Sequence, residues 1–248
     1  MITFSKLGNF GRLGNQLFQI STAIGLAKRN GDVSKFNKWE YSKYFKNPIE
    51  QDLCIESITN SYNEDGFHYT NIPYSPNLDV IGYFQSEKYF LDCKETILYH
   101  LDFIDSLDDE IVNKNLNSCS IHIRRGDYVR LSEYHPFPGM EYYNRSIDFM
   151  RSIGVEVFYL FSDDIEWCKE NFKSFNDIVY INGNIDIKDL FLMSKCKNNI
   201  IANSSFSWWG AWLNKNSNKK VIAPATWFGP KNSSASTKDL YCSSWLIF

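Results

Sequence analysis

From about position 118 onward, short apolar runs alternate with stretches whose apolar residues recur at helical spacing. The runs at 119–123, 156–161, 178–181, 199–202 and 220–223 have the length and the β-branched or aromatic content of buried strands. Between them, 139–152, 164–172, 186–196 and 205–214 read as helices. Strands alternating with helices through short connections predict a doubly wound parallel sheet. The pattern before this is less regular. A strand over 2–4 is followed by Gly8-Asn-Phe-Gly-Arg-Leu-Gly14 and by a helix carrying Leu17, Phe18, Ile20, Ala23, Ile24 and Ala27, with Gly31 placed to end it. Residues 35–76 show no sustained period and read as loops and short elements. A strand fits 79–83, Ser86 can cap a helix running to about 100, and Ser106 can cap another through 115. The change of pattern predicts an N-terminal α/β domain over 1–117 and a Rossmann-like domain over 118–248.

Composition narrows the class. With 44% hydrophobic and 17% aromatic residues the chain can bury sizeable cores, and a net charge of −3 gives it no broad basic field, so no nucleic-acid partner is expected. Cys54, Cys93, Cys119, Cys168, Cys196 and Cys242 form no C-x-x-C pair, and two fall in expected helices and one in a strand. They read as reduced thiols. The N-terminus lacks the basic and apolar regions of a signal peptide, and no apolar run reaches the length of a membrane span. A cytoplasmic protein is expected, with any membrane contact peripheral.

The candidate chemistry centres on His122-Ile-Arg-Arg-Gly-Asp-Tyr128, directly behind the 119–123 run. If that run is a parallel strand, His122, Arg124, Arg125 and Asp127 emerge at its carboxyl end, where open α/β sheets place their ligands. Two adjacent guanidinium forks suit a diphosphate, with Asp127 as the local acid-base group. Taken singly, Arg-Arg-Gly-Asp would pass for a surface turn, and Asp163-Asp164 and Ser204-Ser205 for helix caps. Phe206, Trp208, Trp209 and Trp212 would pass for core. Right-handed crossovers, however, bring the carboxyl ends of parallel strands to one rim, so these clusters could line one crevice. There a carboxylate could accept the N–H groups of a guanine edge, and a helix N-terminus beside two hydroxyls could hold a phosphate. The Gly8–Gly14 loop lacks G-x-G-x-x-G spacing. The acidic pairs Asp108-Asp109 and Asp163-Asp164 form no D-x-D, so no metal is expected.

Five blocks in order, Gly11-Arg-Leu-Gly-Asn-Gln-Leu-Phe-Gln19, Gly82-Tyr-Phe-Gln-Ser-Glu-Lys-Tyr-Phe90, His122-Ile-Arg-Arg-Gly-Asp-Tyr128, Phe161-Ser-Asp-Asp164 and Asn203-Ser-Ser-Phe-Ser-Trp-Trp-Gly-Ala-Trp-Leu-Asn214, resemble the α-1,2-fucosyltransferases of glycosyltransferase family 11. The resemblance implies a GT-B-like fold of two facing Rossmann-like domains, the first on the acceptor side. It also implies inverting, metal-independent transfer of L-fucose from GDP-β-L-fucose to a galactose 2-hydroxyl on an oligosaccharide or glycolipid, forming an α-1,2 linkage without any cofactor. By motif, Arg124 neutralises the departing diphosphate with Arg125, while His122 and Asp163 or Asp164 hold the guanosine. Ser205, with Ser204 and Phe206, contacts phosphate. Protein O-fucosyltransferases share a Gly-Arg-Phe-Gly-Asn-Gln block that resembles Gly11 to Gln16, which implies that Arg12 and Asn15 face the same donor. For the base that deprotonates the acceptor, Asp127 is the first choice and Glu133, farther along the same loop, the second. No family block falls between Lys35 and Pro76. The rival readings are a catalytically inactive fucosyltransferase-like protein that binds a nucleotide or carbohydrate, a carbohydrate-binding module, which would leave the arginine pair unexplained, and a nucleotide-dependent oxidoreductase, which lacks its glycine fingerprint.

Overall fold

The computed structural model describes residues 1–108, 112 and 116–248. Its contacts divide the chain into two compact units, Met1–Asp105 with Ala235–Cys242, and Ser106–Ser234 with Ser243–Phe248. The division thus falls before the boundary expected near Asn117. The return of Ala235–Cys242 to the first unit was not foreseen either. It is fixed by Asp239, whose carboxylate accepts from Lys88 Nζ at 2.6 Å and from the Tyr69 N–H at 3.0 Å. Of the helix expected to start at Ser106, a 3₁₀ turn covers Asp105–Leu107, and 109–111 and 113–115 lie outside the described residues.

In the first unit, β1 (Ile2–Thr3), α1 (Leu13–Arg29), β2 (Asn60–Asn63), β3 (Leu78–Ile81) and α2 (Lys94–His100) surround a parallel sheet of order β1-β3-β2. Helix α1 is buried on nearly every side, Leu17, Phe18 and Ile20 completely. It ends where its apolar pattern ends: Gly31 adopts φ +65°, and the N–H groups of Gly31 and Asp32 return to Lys28 O and Ala27 O. Strand β2 lies in the stretch expected to hold no sustained element. Its residues are Asn-Ser-Tyr-Asn, mostly exposed at the sheet edge, so they carry no hydrophobic alternation to read. The helix expected from Ser86 to about 100 is broken into two 3₁₀ turns, Glu87–Tyr89 and Leu91–Cys93, before α2. Ser86 caps the first turn by accepting from the Lys88 N–H. Successive helical residues point about 100° apart, whereas Tyr89 and Phe90 are both buried. Phe90 leaves helical geometry, at φ −146° and ψ 6°, to accommodate them.

Directly after β2, Glu64 is largely buried, and its two oxygens accept from the N–H groups of Tyr83 and Phe84 at 2.6 and 2.8 Å. Burial prevails over these hydrogen bonds and raises its pKa from 4.5 to about 7. A carboxyl with a raised folded-state pKa contributes stability that is complete below the unfolded value and lost as the pH rises through the folded one. The shift corresponds to about 3 kcal/mol across that window. Denaturant midpoints of the wild-type chain should therefore fall between about pH 5 and 8 more steeply than those of Glu64→Gln. Parallel pH profiles for the two proteins would refute this assignment.

The second unit carries β4 (Ser118–Ile123), α3 (Met140–Ser152), β5 (Val157–Ser162), α4 (Ile165–Asn171), β6 (Ile178–Ile181), α5 (Asp186–Lys195), β7 (Asn198–Ile200), α6 (Ser205–Trp212), β8 (Val221–Ala223) and β9 (Leu246–Ile247). All strands run parallel, in the order β6-β5-β4-β7-β8-β9. The expected elements are present within a few residues at each end. Strand β9 was missed, because two residues near the chain end show no period. The order reverses direction between β4 and β7, the topological switch point at which such sheets bind ligands. Cys119, Ile121 and Ile123 of β4 pack with Tyr143, Ile147 and Phe158 on one side of the sheet. Tyr142 ties two strands together by donating to the carbonyls of Ile201 and Ile222. The tryptophans of α6 are core, Trp208 and Trp209 wholly buried and in ring contact with each other.

All six cysteines are unpaired thiols, and only Cys54 is exposed. Among the described residues no helix is long and apolar enough to cross a membrane.

Candidate functional site

Strand β4 is buried along its whole length, so the chain must leave the sheet before it can present charge. His122 remains inside the strand, 5% exposed, its ring 5.5 Å from that of Phe206 on α6. Burial first, and the Arg124 charge second, pull its pKa to about 3. The imidazole is therefore neutral at ordinary pH. Its Nδ1 is buried with no partner among the described residues.

Arg124 and Arg125 lie just beyond the strand end and are held from several sides. The Arg124 guanidinium pairs with Asp127 and, at 2.6 Å, with Asp163. Arg125 gives its Nε to Asp164 at 3.0 Å, and its guanidinium lies 3.9 Å from the Trp167 ring centre. Asp163 also accepts the backbone N–H groups of Arg125 and Gly126, at 2.8 and 3.2 Å. Gly126 admits this contact because it lacks a side chain: a Cβ there would fall 2.4 Å from Asp163 Oδ2. Asp164 additionally caps α4 by accepting from the Trp167 N–H. The acidic pair therefore does more than cap a helix: its oxygens hold the arginines and the backbone amides of the β4 loop. A guanidinium carries further N–H groups beyond those two contacts, so each arginine arrives preoriented with donors left for an anion.

On the other side of the switch point, Ser204 is the N-cap residue of α6 and Ser205 its first residue. The first-turn amides of a helix lack helical partners and attract negative charge. Asn203 fixes this loop by donating to Pro136 O and Trp227 O at 2.9 and 3.1 Å. Tyr128 donates to Asn203 O at 3.3 Å, joining the β4 loop to the β7–α6 loop. Neither Tyr128, Asn203 nor Trp167 was assigned a role from sequence. Tyr128 and Asn203 lay inside quoted motifs, so the signal was present; the packing of Trp167 under Arg125 had none.

The structure thus gathers His122, Arg124, Arg125, Asp127, Asp163, Asp164, Ser204, Ser205 and Phe206 on the carboxyl rim of the second unit. Glu133 differs. Its carboxylate pairs with Lys231 Nζ at 2.5 Å and is 65% exposed. Arg12 and Asn15 belong to the first unit, as the N-cap residue and a first-turn residue of α1. Asn15 accepts there from Gln85 Nε2, and Gln16 donates to Gly11 O, which braces the glycine loop.

A family model described as Glycosyl transferase family 11 matches residues 51–247. The chain is 41% identical over 144 residues to an O-antigen biosynthesis glycosyltransferase, WbnK, of Escherichia coli, a match covering 55% of this chain and 46% of that protein. It is 43% identical over 164 residues to an α-1,2-colitosyltransferase of Escherichia coli, covering 61% and 57%. A galactoside α-(1,2)-fucosyltransferase 2 of Oryctolagus cuniculus is 25% identical over 233 residues, covering 82% and 65%. The chain thus spans about half the length of the bacterial relatives it matches. Among solved structures, the fucosyltransferase NodZ from Bradyrhizobium superposes with a TM-score of 0.52 at 12% identity, over 84% of this chain and 91% of that one. This likeness shows the fold, which is of the GT-B type.

Proposed function

Because the chain belongs to glycosyl transferase family 11, we propose that it transfers L-fucose, or a closely related deoxy sugar, from a guanosine diphosphate donor to the 2-hydroxyl of a galactose-containing glycan, with inversion to an α-1,2 linkage. The observation that carries this reading is the Arg124-Arg125 pair, preoriented by Asp127, Asp163 and Asp164 at the switch point of the second unit. As the bond from the anomeric carbon to the diphosphate breaks, negative charge grows on the leaving group, and fixed guanidinium donors stabilise it where it appears. Ser204, Ser205 and the α6 amides hold phosphate oxygens from the opposite side. His122 serves as a neutral hydrogen-bonding group beside them. Since fixed cations supply the charge stabilisation, the reaction proceeds without metal.

The identity to a colitosyltransferase, higher than to the fucosyltransferase, favours a second donor. Colitose is fucose without its 3-hydroxyl, so the same clamp serves either sugar. The test is incubation with GDP-fucose, GDP-colitose or a UDP-sugar, each with lactose as acceptor and with or without EDTA, followed by linkage analysis of the product. Transfer from one of the GDP-sugars that survives EDTA is expected. Tight GDP binding without product would favour the inactive binding protein. Loss of turnover in EDTA, restored by Mg²⁺, would show that the arginines do not suffice.

A further inference from the structure

Deprotonation of the acceptor hydroxyl needs a group that is neutral or anionic and not already committed to a cation. Asp127 is paired with Arg124, and Glu133 with Lys231 on an exposed surface. The loop between them turns back on itself, the N–H groups of Tyr134 and His135 both returning to Leu131 O at 2.8 Å. This turn lays the His135 ring on Tyr128, centroids 4.6 Å apart and planes within 15°. The Arg124 guanidinium lies 5.3 Å from the same Tyr128 ring. Tyr128, stacked on the imidazole, and Pro136, the next residue in the chain, are both hydrogen-bonded to Asn203, the residue preceding Ser204 and Ser205. His135 is thereby anchored to both loops that form the diphosphate rim.

We propose that His135 is the catalytic base, accepting the proton of the acceptor hydroxyl, an inference that rests on the glycosyl-transfer reading above. Its Nδ1 is enclosed with no partner among the described residues, which leaves Nε2 as the ring nitrogen open to a substrate. The reaction requires the tautomer with its proton on Nδ1. The acceptor O–H proton passes to Nε2 as the oxygen lone pair forms the new bond to the anomeric carbon. The bond from that carbon to the diphosphate breaks, and its electron pair leaves with GDP beside Arg124 and Arg125. Burial, aided by the Arg124 charge, lowers its pKa and keeps it neutral before the reaction, while the Asp127 carboxylate favours the imidazolium that forms. Asp127 would thus orient Arg124 and stabilise the protonated ring, a role distinct from taking the proton itself.

The tests are His135→Phe, which keeps an aromatic ring to stack on Tyr128, and His135→Gln. Both should lower kcat with lactose about 10²–10⁴-fold and leave the calorimetric Kd for GDP within about twofold, inside the usual mutational noise. The acid limb of the wild-type pH profile of kcat/KM should vanish. Azide carries no proton to remove, so both variants should form glycosyl azide at close to the wild-type rate. Wild-type kcat in His135→Phe, an unchanged acid limb, or equal loss of azide transfer and GDP affinity would overturn the proposal. If the wild-type protein transfers sugar while His135→Phe is unimpaired, only the base assignment fails. If the wild type transfers none from any of the donors above, both readings fail.

Discussion

Arg124→Lys is expected to lower kcat/KM by about 10²–10³-fold in a protein that still folds, the loss typical of removing one preorganised donor from developing charge. Lysine keeps the charge but is a point cation on a flexible stem and cannot engage two carboxylates in fixed directions while also facing a phosphate. The Arg124 guanidinium does so: Asp163 meets one of its terminal nitrogens and Asp127 the other. The measurement is initial rate against donor concentration, with circular dichroism to establish folding and calorimetry to follow GDP. The effect should be concentrated in kcat, because the diphosphate bears its greatest charge as it departs. Turnover within a few-fold of wild type in folded Arg124→Lys would remove the bidentate clamp from the mechanism.

Asp163→Asn should lower kcat/KM about 10–100-fold, the scale seen when a residue that orients a functional group is altered. An amide can still accept the N–H groups of Arg125 and Gly126 with its oxygen. Its nitrogen would then point a donor at the Arg124 guanidinium, where the carboxylate now accepts. The contact with Gly126 leaves little room for the side chain to rotate away. Because Asp163 acts through Arg124, the double variant Arg124→Lys/Asp163→Asn should be little worse than Arg124→Lys alone, with a coupling of about 0.5–3 kcal/mol. Simple multiplication of the two losses would mean that Asp163 contributes by an independent route, such as contact with the donor base.

The positions that were legible in the sequence share a property: their surroundings are encoded nearby. The 119–123 run is buried on both faces, so its apolar character survives in one dimension, and the end of β4 could be located to the residue where Arg124 stands. The alternation of strand and helix then placed Asp163 and Ser204 on the same rim. What was not legible depends on contacts between distant segments. Two carboxylates after a strand do not reveal in sequence that they hold Arg124 and Arg125, which only the geometry shows. His135 was passed over because its meaning arises from a turn through Leu131 and from Tyr128, neither of which produces periodicity. The polar edge strand β2 and the two-residue β9 escaped for a related reason, since each owes its existence to a neighbouring strand and not to its own hydrophobicity.

The path of residues 235–248 bears on how the protein is made. Ala235–Cys242 belong to the first unit and Ser243–Phe248, with β9, to the second, so the chain visits each unit once more after Ser234. Neither unit is complete while residues beyond Ser234 are still inside the ribosome tunnel. At ordinary translation speeds the first unit waits on the order of ten seconds for the segment whose Asp239 meets Lys88 and Tyr69. A chain released early by a stop codon after Ser234 would lack both segments, and its nascent units would be natural clients for chaperones and proteases.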